Sequence, residues 1–576
     1  MRDHKFIVRN GSGGWLRDLL LLAVVLGIPF FQYLGGLPLM DPDEGRYAEI
    51  PREMLERGDL ITPTLNYVKY FEKPPLLYWI NAASLKIFGL NEFGARFPSA
   101  LCGLLTVLAT YVIARKLYDR RVALISALIL GTSAGFVLQS RIILTDMLLT
   151  FCLTAALGAF IVAAQREGRR SQALPWYLFY LFCALATLAK GLIGMVFPAG
   201  IIFFYLLLSR RWRLLSEMRL PSGLLLFLTI VAPWFVAVSL RNPEFPYFFF
   251  IHEHFERFTS TVHGRYQPFW FFAPVLLATM LPWSFYIPGA LVRAWRDRHH
   301  EDGRAGMYLL IWTAIIFLFF SKSSSKLIPY ILPIFPPLSI LIAHRFSLLI
   351  NGRAREIKSA SYILGVILCL LAAGACAYGF LPELPSGLLQ VFPKYAKKIY
   401  SFQGHFPTVS TASCLVIAGL AATQGLACLF FAGRSPVRLI ATLSVVSLVL
   451  TVVIERQIMP AIAAGESTRI LAGEVNKILT PQTRIVTWGP MQSLNWYTGR
   501  RTATYYTFDE LDFGRRQGDQ TGWFFDKLLL KNAWSSDQLY LFVVARDTFE
   551  NLQILFPLPH ARIVGTSGRY LLVSNK

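Results

Sequence analysis

The chain is 576 residues long, 55% hydrophobic and only 16% charged, whereas ordinary soluble proteins carry about 25% charged residues. Its apolar residues fall in blocks of roughly 18 to 22, the length that crosses a hydrocarbon core, and Leu19–Phe31 and Leu439–Ile454 show almost no polar stripe, so an ordinary soluble protein is excluded. The net charge of +22 sits in short clusters between these blocks and not on a continuous basic face with base-stacking aromatics, which excludes nucleic acid as a partner.

The N-terminus opens basic, Met1-Arg2-Asp3-His4-Lys5, like a signal peptide. The apolar run from Leu16 is too long for one, and no small-residue cleavage site follows, so a retained first transmembrane helix is expected. Spans are predicted at 15–35, 97–115, 121–139, 144–165, 175–190, 192–209, 222–239, 270–292, 306–321, 328–345, 360–380, 410–432 and 436–455, about thirteen in all. The clusters Arg115/Lys116/Arg120/Arg121, Arg166/Arg169/Arg170, Arg210/Arg211/Arg213, Arg293/Arg296/Arg298/Arg304, Arg345/Arg353/Arg355/Lys358 and Arg434/Arg438 then share one side with the N-terminus. The positive-inside rule makes that side cytoplasmic, and an odd number of spans puts the C-terminus outside.

Two outer connections are long: 36–95, with an amphipathic segment Pro74–Phe88 expected to lie along the interface, and 241–269. Residues 1–456 therefore read as a polytopic α-helical membrane domain with juxtamembrane helices. Residues 457–576 read as a small soluble α/β domain on the outer side. Its expected elements are helix Glu466–Leu479, strand Thr483–Trp488, helix Met491–Tyr497, strand Thr502–Tyr506, a helix near Trp523–Lys531, strand Gln538–Ala545, helix Asp547–Leu555 and the strands Arg562–Thr566 and Arg569–Val573. The seven cysteines all lie in or beside apolar blocks without a C-x-x-C spacing, so they read as small buried hydrophobes, with no disulfide framework or zinc site.

Charge beside a membrane span is costly and needs a reason. Five clusters fall on the outer side. The first is Asp41-Pro42-Asp43-Glu44-Gly45-Arg46-Tyr47-Ala48-Glu49. Asp41 as N-cap, Pro42 as first helical residue and Glu44 as capping-box partner would be a purely structural account, but it leaves Asp43 unexplained. The second, Phe71-Glu72-Lys73-Pro74-Pro75, is either a solvated turn or a lysine set to meet an anion, with Glu72 available to a cation. The third holds Arg141 and Asp146 at the edge of an apolar helix, where Asp146 doubles as a dipole complement and Lys190 nearby reads as a snorkelling side chain. The fourth is His252-Glu253-His254-Phe255-Glu256-Arg257, and the fifth runs from Ser321 through Lys326 to Tyr330. Acids mixed with Lys and Arg at a bilayer surface suit a ligand with an apolar tail and a phosphate head, with cations holding the phosphate and a carboxylate activating or orienting a nucleophile. A transporter would place its ionisable residues near the midplane of broken helices, often in repeated halves, and neither pattern is visible.

These motifs resemble, in order and wording, the lipid-linked-sugar transferases of the type C glycosyltransferase fold. They are most similar to the bacterial aminoarabinose transferases of lipid A, with the protein O-mannosyltransferases as the neighbouring branch. The resemblance rests on Asp43 to Glu49, Tyr70-Phe-Glu-Lys-Pro with Tyr78-Trp-Ile-Asn81, and Phe93-Gly-Ala-Arg-Phe97. It continues through Thr145-Asp146, Glu253-His254 with Arg257-Phe258, Gln267-Pro-Phe-Trp270 and Lys326-Leu-Ile-Pro-Tyr330. It implies inverting transfer of a sugar, 4-amino-4-deoxy-L-arabinose foremost, from undecaprenyl phosphate to a lipid A phosphate on the periplasmic side of the inner membrane by a monomer. A protein hydroxyl or another glycan is the alternative acceptor. Asp43 is implied as the principal catalytic carboxylate and Asp146 as a second. Lys73, Arg257 and Tyr330 are implied as donor-phosphate ligands and Glu72 with His254 as a divalent-cation pair, with no organic cofactor. Glu44, Arg46, Arg141 and Lys326 are possible supporting residues. The chain departs from the aminoarabinose pattern at Pro75 and the two leucines after it, and in the Ser/Lys run before Tyr330. Those departures bear on the sugar and the acceptor.

Overall fold

The computed structural model describes residues 14–165, 173–256, 267–300, 303–352, 357–381, 409–505, 509–555 and 557–576. Helix α1 (Trp15–Phe31) leads to α2 (Asp43–Arg57), a two-stranded hairpin of β1 (Thr64–Leu65) and β2 (Val68–Lys69), and α3 (Leu76–Phe88). Then come α4 (Glu92–Leu117), α5 (Arg120–Gly131), α6 (Ala134–Ser140), α7 (Thr145–Ala164) and α8 (Ala173–Lys190). Local chemistry sets several of these ends. The Asn91 side chain accepts from Gly94 N at 2.8 Å to start α4, and Asp119 accepts from Val122 N at 2.8 Å to start α5.

Nine helices among the described residues are long and apolar enough to cross a membrane, or eleven if each of two bent pairs is one span. The expected thirteen exceed this because Trp15–Phe31 and Ile193–Ser209 have 17 residues each, at the lower edge of spanning length. Two expected spans are not straight. The segment 121–139 breaks at Thr132–Ser133 with a 65° bend, and 270–292 turns through 119° between Phe269–Thr279 and Ser284–His299. Pro282, which has no N–H to donate, lies in that second break.

Burial sorts the spans. The most apolar window of Ile328–Ile350 is 89% buried, whereas that of Leu220–Arg241 is 17% buried, so the first is central and the second presents its leucines outward. An apolar face of that extent suits lipid, not water. The ends expected on one side do gather: Leu117, Gln165, Arg211, Arg293, Arg304 and His344 line a common cavity. Charges inside the bundle are paired. Asp18 accepts from Arg115 at 2.8 Å and Arg120 at 2.7 Å, and Arg96 meets Glu44 through two 2.7 Å bonds. Removing one partner of such a pair costs about 3–5 kcal/mol.

The C-terminal domain is a six-stranded sheet in the order β5-β4-β3-β6-β8-β7. Its strands are β3 (Arg484–Trp488), β4 (Ala503–Tyr505), β5 (Phe524–Phe525), β6 (Tyr540–Ala545), β7 (Arg562–Ser567) and β8 (Tyr570–Ser574). Strands β3 to β6 pair in parallel, while β8 runs antiparallel to both β6 and β7. Alternation along β3 and β6 builds two cores. Val486, Phe542 and Val544 pack on one face, and Ile485, Leu541 and Val543 pack on the other. The expected strands and helices are present, except that β5 falls at the start of the helix expected near Trp523, which forms instead at Lys527–Trp534.

This domain is bound to the membrane domain by polar contacts. Asp41 accepts from Ser493 N at 2.8 Å and from the Ser493 hydroxyl. Asn66 Nδ2 donates to Thr502 O at 2.9 Å, and Tyr497 Oη donates to Glu92 at 3.0 Å. Asp41 is thus not the expected N-cap. Pro42 holds that position without a side-chain cap, and Asp41 ties the two domains together. Gly45 is needed for this approach, since a Cβ there would lie 2.4 Å from both Asp41 Oδ1 and Ser493 N.

Candidate active site

The start of α2 presents the first cluster. Asp43, its first residue, keeps a carboxylate that is 45% exposed and lies 3.3 Å from Arg46 Nη1. Arg46 is buried, and its Nε lies 2.6 Å from Glu510 of the C-terminal domain. Glu510 had no signal in the sequence, because it sits more than 400 residues from its partner in an unremarked Phe-Asp-Glu-Leu-Asp stretch. Burial pushes its carboxyl up to about 7; Arg46 opposes the shift, and the charges of Glu72 and Asp43 add to it. The same stretch packs Phe513 on Phe71 at 5.8 Å and on Phe248 at 4.1 Å, closing the C-terminal domain over both long connections.

Lys73 follows the hairpin. Its Nζ donates to the Glu72 carbonyl at 2.8 Å and lies 3.7 Å from the Glu72 carboxylate and 3.6 Å from that of Glu253. Glu253 stands on a π-helical turn, Tyr247–Glu256, within the second connection. The backbone of His254 belongs to that turn, but its side chain and all of Arg257 lie outside the described residues.

Asp146 sits in the first turn of α7 and Lys190 at the last residue of the antiparallel α8. Their side chains meet at 2.5 Å, and the Lys190 ammonium lies 4.5 Å from the Tyr330 ring centroid. Lys190 therefore does not snorkel; it neutralises Asp146 and positions Tyr330. The ring of Tyr330 also packs on Phe320 at 5.1 Å.

Tyr47 joins the clusters. Burial raises its hydroxyl above the usual tyrosine value, Arg46 opposes, and the nearby charges of Asp43, Glu72 and Asp146 raise it further. Carboxylates from three separate clusters thus act on one phenol. Tyr70 and Tyr78, also fully buried, feel Glu72, Arg46 and Glu510. Among the described residues neither hydroxyl has a hydrogen-bond partner, so both are donors available to a polar ligand. Sequence reasoning passed over all three tyrosines as part of motifs.

The supporting residues divide. Arg46 belongs to the cluster. Glu44 does not reach it: besides pairing with Arg96, it accepts from Met40 N at 3.1 Å, so its reach back to the helix start is real but its charge is spent on Arg96. Arg141 holds the end of α1 through the carbonyls of Pro29 and Gln32, at 2.7 and 2.8 Å, and pairs with Glu455 at 3.0 Å. Lys326 donates to the Gln267 carbonyl at 2.8 Å and to that of Ser323. Each of these three braces backbone or a buried partner. As for a cation, no three His, Cys, Asp or Glu groups converge among the described residues, and Glu72 is shared with the Lys73 ammonium.

The cluster brings together a half-exposed carboxylate, a lysine, a second carboxylate and two tyrosine hydroxyls that have no hydrogen-bond partner among the described residues. The family model described as dolichyl-phosphate-mannose-protein mannosyltransferase matches residues 18–249, and that described as aminoarabinose transferase C-terminal domain matches residues 471–575. The undecaprenyl phosphate-alpha-4-amino-4-deoxy-L-arabinose arabinosyl transferase of Erwinia tasmaniensis is 36% identical over 384 residues, covering 66% of this chain and 68% of that protein. The protein of the same name from Pseudomonas paraeruginosa is 35% identical over 363 residues, covering 62% and 65%. Among solved structures, ArnT from Cupriavidus metallidurans bound to undecaprenyl phosphate matches with a TM-score of 0.79 and 26% identity, over 98% of this chain and 99% of that one. The chain is a polytopic membrane glycosyltransferase and belongs to the aminoarabinose transferase family.

Proposed function

We propose that this protein transfers 4-amino-4-deoxy-L-arabinose, with inversion, from undecaprenyl phosphate to a phosphate of lipid A at the periplasmic face of the bacterial inner membrane. The observation that carries this reading is the match over 98% of the chain to a relative that holds undecaprenyl phosphate. A lipid A phosphate oxygen attacks the anomeric carbon, the bond from that carbon to the donor phosphate breaks, and undecaprenyl phosphate leaves as an anion. Lys73, Arg257 and Tyr330 hold the donor phosphate, and Asp43 and Asp146 are the carboxylates that orient acceptor and sugar. Cations near the leaving phosphate stabilise the charge that develops there. We also propose Glu72 with His254 as a divalent-cation pair. Chelation followed by metal re-addition tests it, and activity unaffected by chelation removes it.

A phosphate acceptor is already anionic at neutral pH and needs no strong base, whereas a hydroxyl does. Asp43→Asn is therefore expected to slow transfer to a phosphate and to abolish transfer to a hydroxyl. The match of residues 18–249 to a protein mannosyltransferase model favours a second reading, with a protein hydroxyl as acceptor. The match of residues 471–575 favours the first. Deleting the gene and comparing lipid A by mass spectrometry separates them: loss of an aminoarabinose-sized adduct supports the first, and an unchanged spectrum rejects it.

A further inference from the structure

A second polar cavity, of about 680 Å³, opens where the amino ends of β3 to β6 meet the turn between β1 and β2. That volume is within the range of small-molecule sites. Glu56 on its rim stands 13 residues along α2 from Asp43, about 20 Å at the helical rise, so the cavity is separate from the transfer cluster.

Three guanidinium groups line it: Arg484, Arg500 and Arg501. Arg484 and Arg501 both lie over the Trp523 ring, at 4.5 and 4.3 Å. None of the three has a carboxylate within 4.0 Å among the described residues. Glu56 lines the cavity too, but it is taken by Arg52 at 2.7 Å and by the Tyr67 hydroxyl at 2.6 Å. Arg501 Nη2 donates to Gln520 at 2.5 Å, while its buried Nε has no acceptor among the described residues. Burial holds the Arg501 guanidinium down to about 10; the more distant Glu53 charge opposes this and Arg484 adds to it. Like charges are thus held together with no carboxylate in direct contact among the described residues. Planar guanidinium forks match phosphate or carboxylate oxygens, and the exposed amide of Gln482 in the same lining can hydrogen-bond a sugar hydroxyl.

We propose that this cavity binds an anionic saccharide, one carrying a phosphate or carboxylate, and so docks the head group of the acceptor glycolipid away from the transfer cluster. The acceptor part rests on the function proposed above. It gives the C-terminal domain a role in acceptor recognition beyond supplying Glu510.

The test uses the full chain in detergent and titrates glucosamine 1-phosphate, inorganic phosphate and uncharged glucosamine by calorimetry. The variants are Arg484→Gln/Arg501→Gln and the exposed Arg500→Glu, which leaves the fold undisturbed. Wild type is expected to bind the phosphosugar more tightly than phosphate and to ignore glucosamine, with both variants weakened at least about tenfold, the loss of one charge-assisted contact. In transfer assays the acceptor KM rises by a similar factor with kcat unchanged. Unchanged phosphosugar binding in both variants overturns the proposal. Phosphate binding as tight as the phosphosugar shows a plain anion site and overturns the saccharide part. If wild type transfers nothing to lipid A, the proposed function fails, and the titration still decides the cavity.

Discussion

Replacing Glu510 with alanine should slow sugar transfer about tenfold while leaving the donor KM nearly unchanged. Arg46 is buried between two carboxylates, 2.6 Å from Glu510 and 3.3 Å from Asp43. Once Glu510 is gone, Asp43 is the carboxylate left beside that guanidinium, and their contact tightens. A hydrogen bond to a charged group contributes about 1.5–3 kcal/mol. Asp43 is 45% exposed, so water screens the contact and the lower figure applies. Releasing Asp43 for its proposed role then costs about 1.5 kcal/mol, roughly a factor of ten in rate. The assay is kcat for transfer from the undecaprenyl-linked sugar to lipid A by purified protein, with Glu510→Gln as an intermediate case that keeps an acceptor oxygen. A Glu510→Ala protein with wild-type kcat refutes the reasoning.

Other perturbations follow from the same geometry. Asp146→Asn and Lys190→Met should each reduce transfer, and the double variant should lose less than the two combined, with a coupling of about 0.5–3 kcal/mol; additive losses would mean the 2.5 Å contact carries no energy. Glu44→Gln should shorten the inactivation half-life of the detergent-solubilised protein, because it leaves buried Arg96 without its charged partner at a cost of about 3–5 kcal/mol, while KM stays unchanged. A shifted KM with an unchanged half-life would place Glu44 at the site instead. Burial, reinforced by the Glu49 charge, pushes the Glu53 carboxyl up from 4.5 to about 8. The folded state therefore holds this proton more tightly, so its stabilisation is full below about pH 4.5 and is lost as pH rises through about 8. Glu53→Gln should flatten the pH dependence of thermal inactivation across that window, and an unaltered slope would count against it.

What the sequence showed and what it hid separate along physical lines. Long apolar runs announced most of the bundle because the bilayer demands continuous hydrophobicity. Alternation of Ile485/Val486 and Leu541/Phe542 announced the strands of a sheet covered on both faces. Asp43, Lys73 and Asp146 stood out as charges beside apolar segments. Partners distant along the chain left no trace: nothing near Glu510 points to Arg46, and nothing near Ser493 points to Asp41. Lys190 and Arg141 looked alike, as cations at the edge of apolar helices. Only packing shows that one neutralises Asp146 beside Tyr330 while the other braces the end of α1 against Glu455. Hydropathy is blind to direction, so the turn at Pro282 leaves no mark in the apolar run 270–292.

The most direct measurement of the central claim is transfer by the purified protein, given undecaprenyl-phosphate aminoarabinose and lipid A and followed by mass spectrometry of both lipids. Wild type is predicted to consume the donor and place the sugar on a lipid A phosphate, and Asp43→Asn to do so more slowly. A wild-type protein that leaves the donor intact, or that modifies a hydroxyl and leaves the phosphates bare, would contradict it.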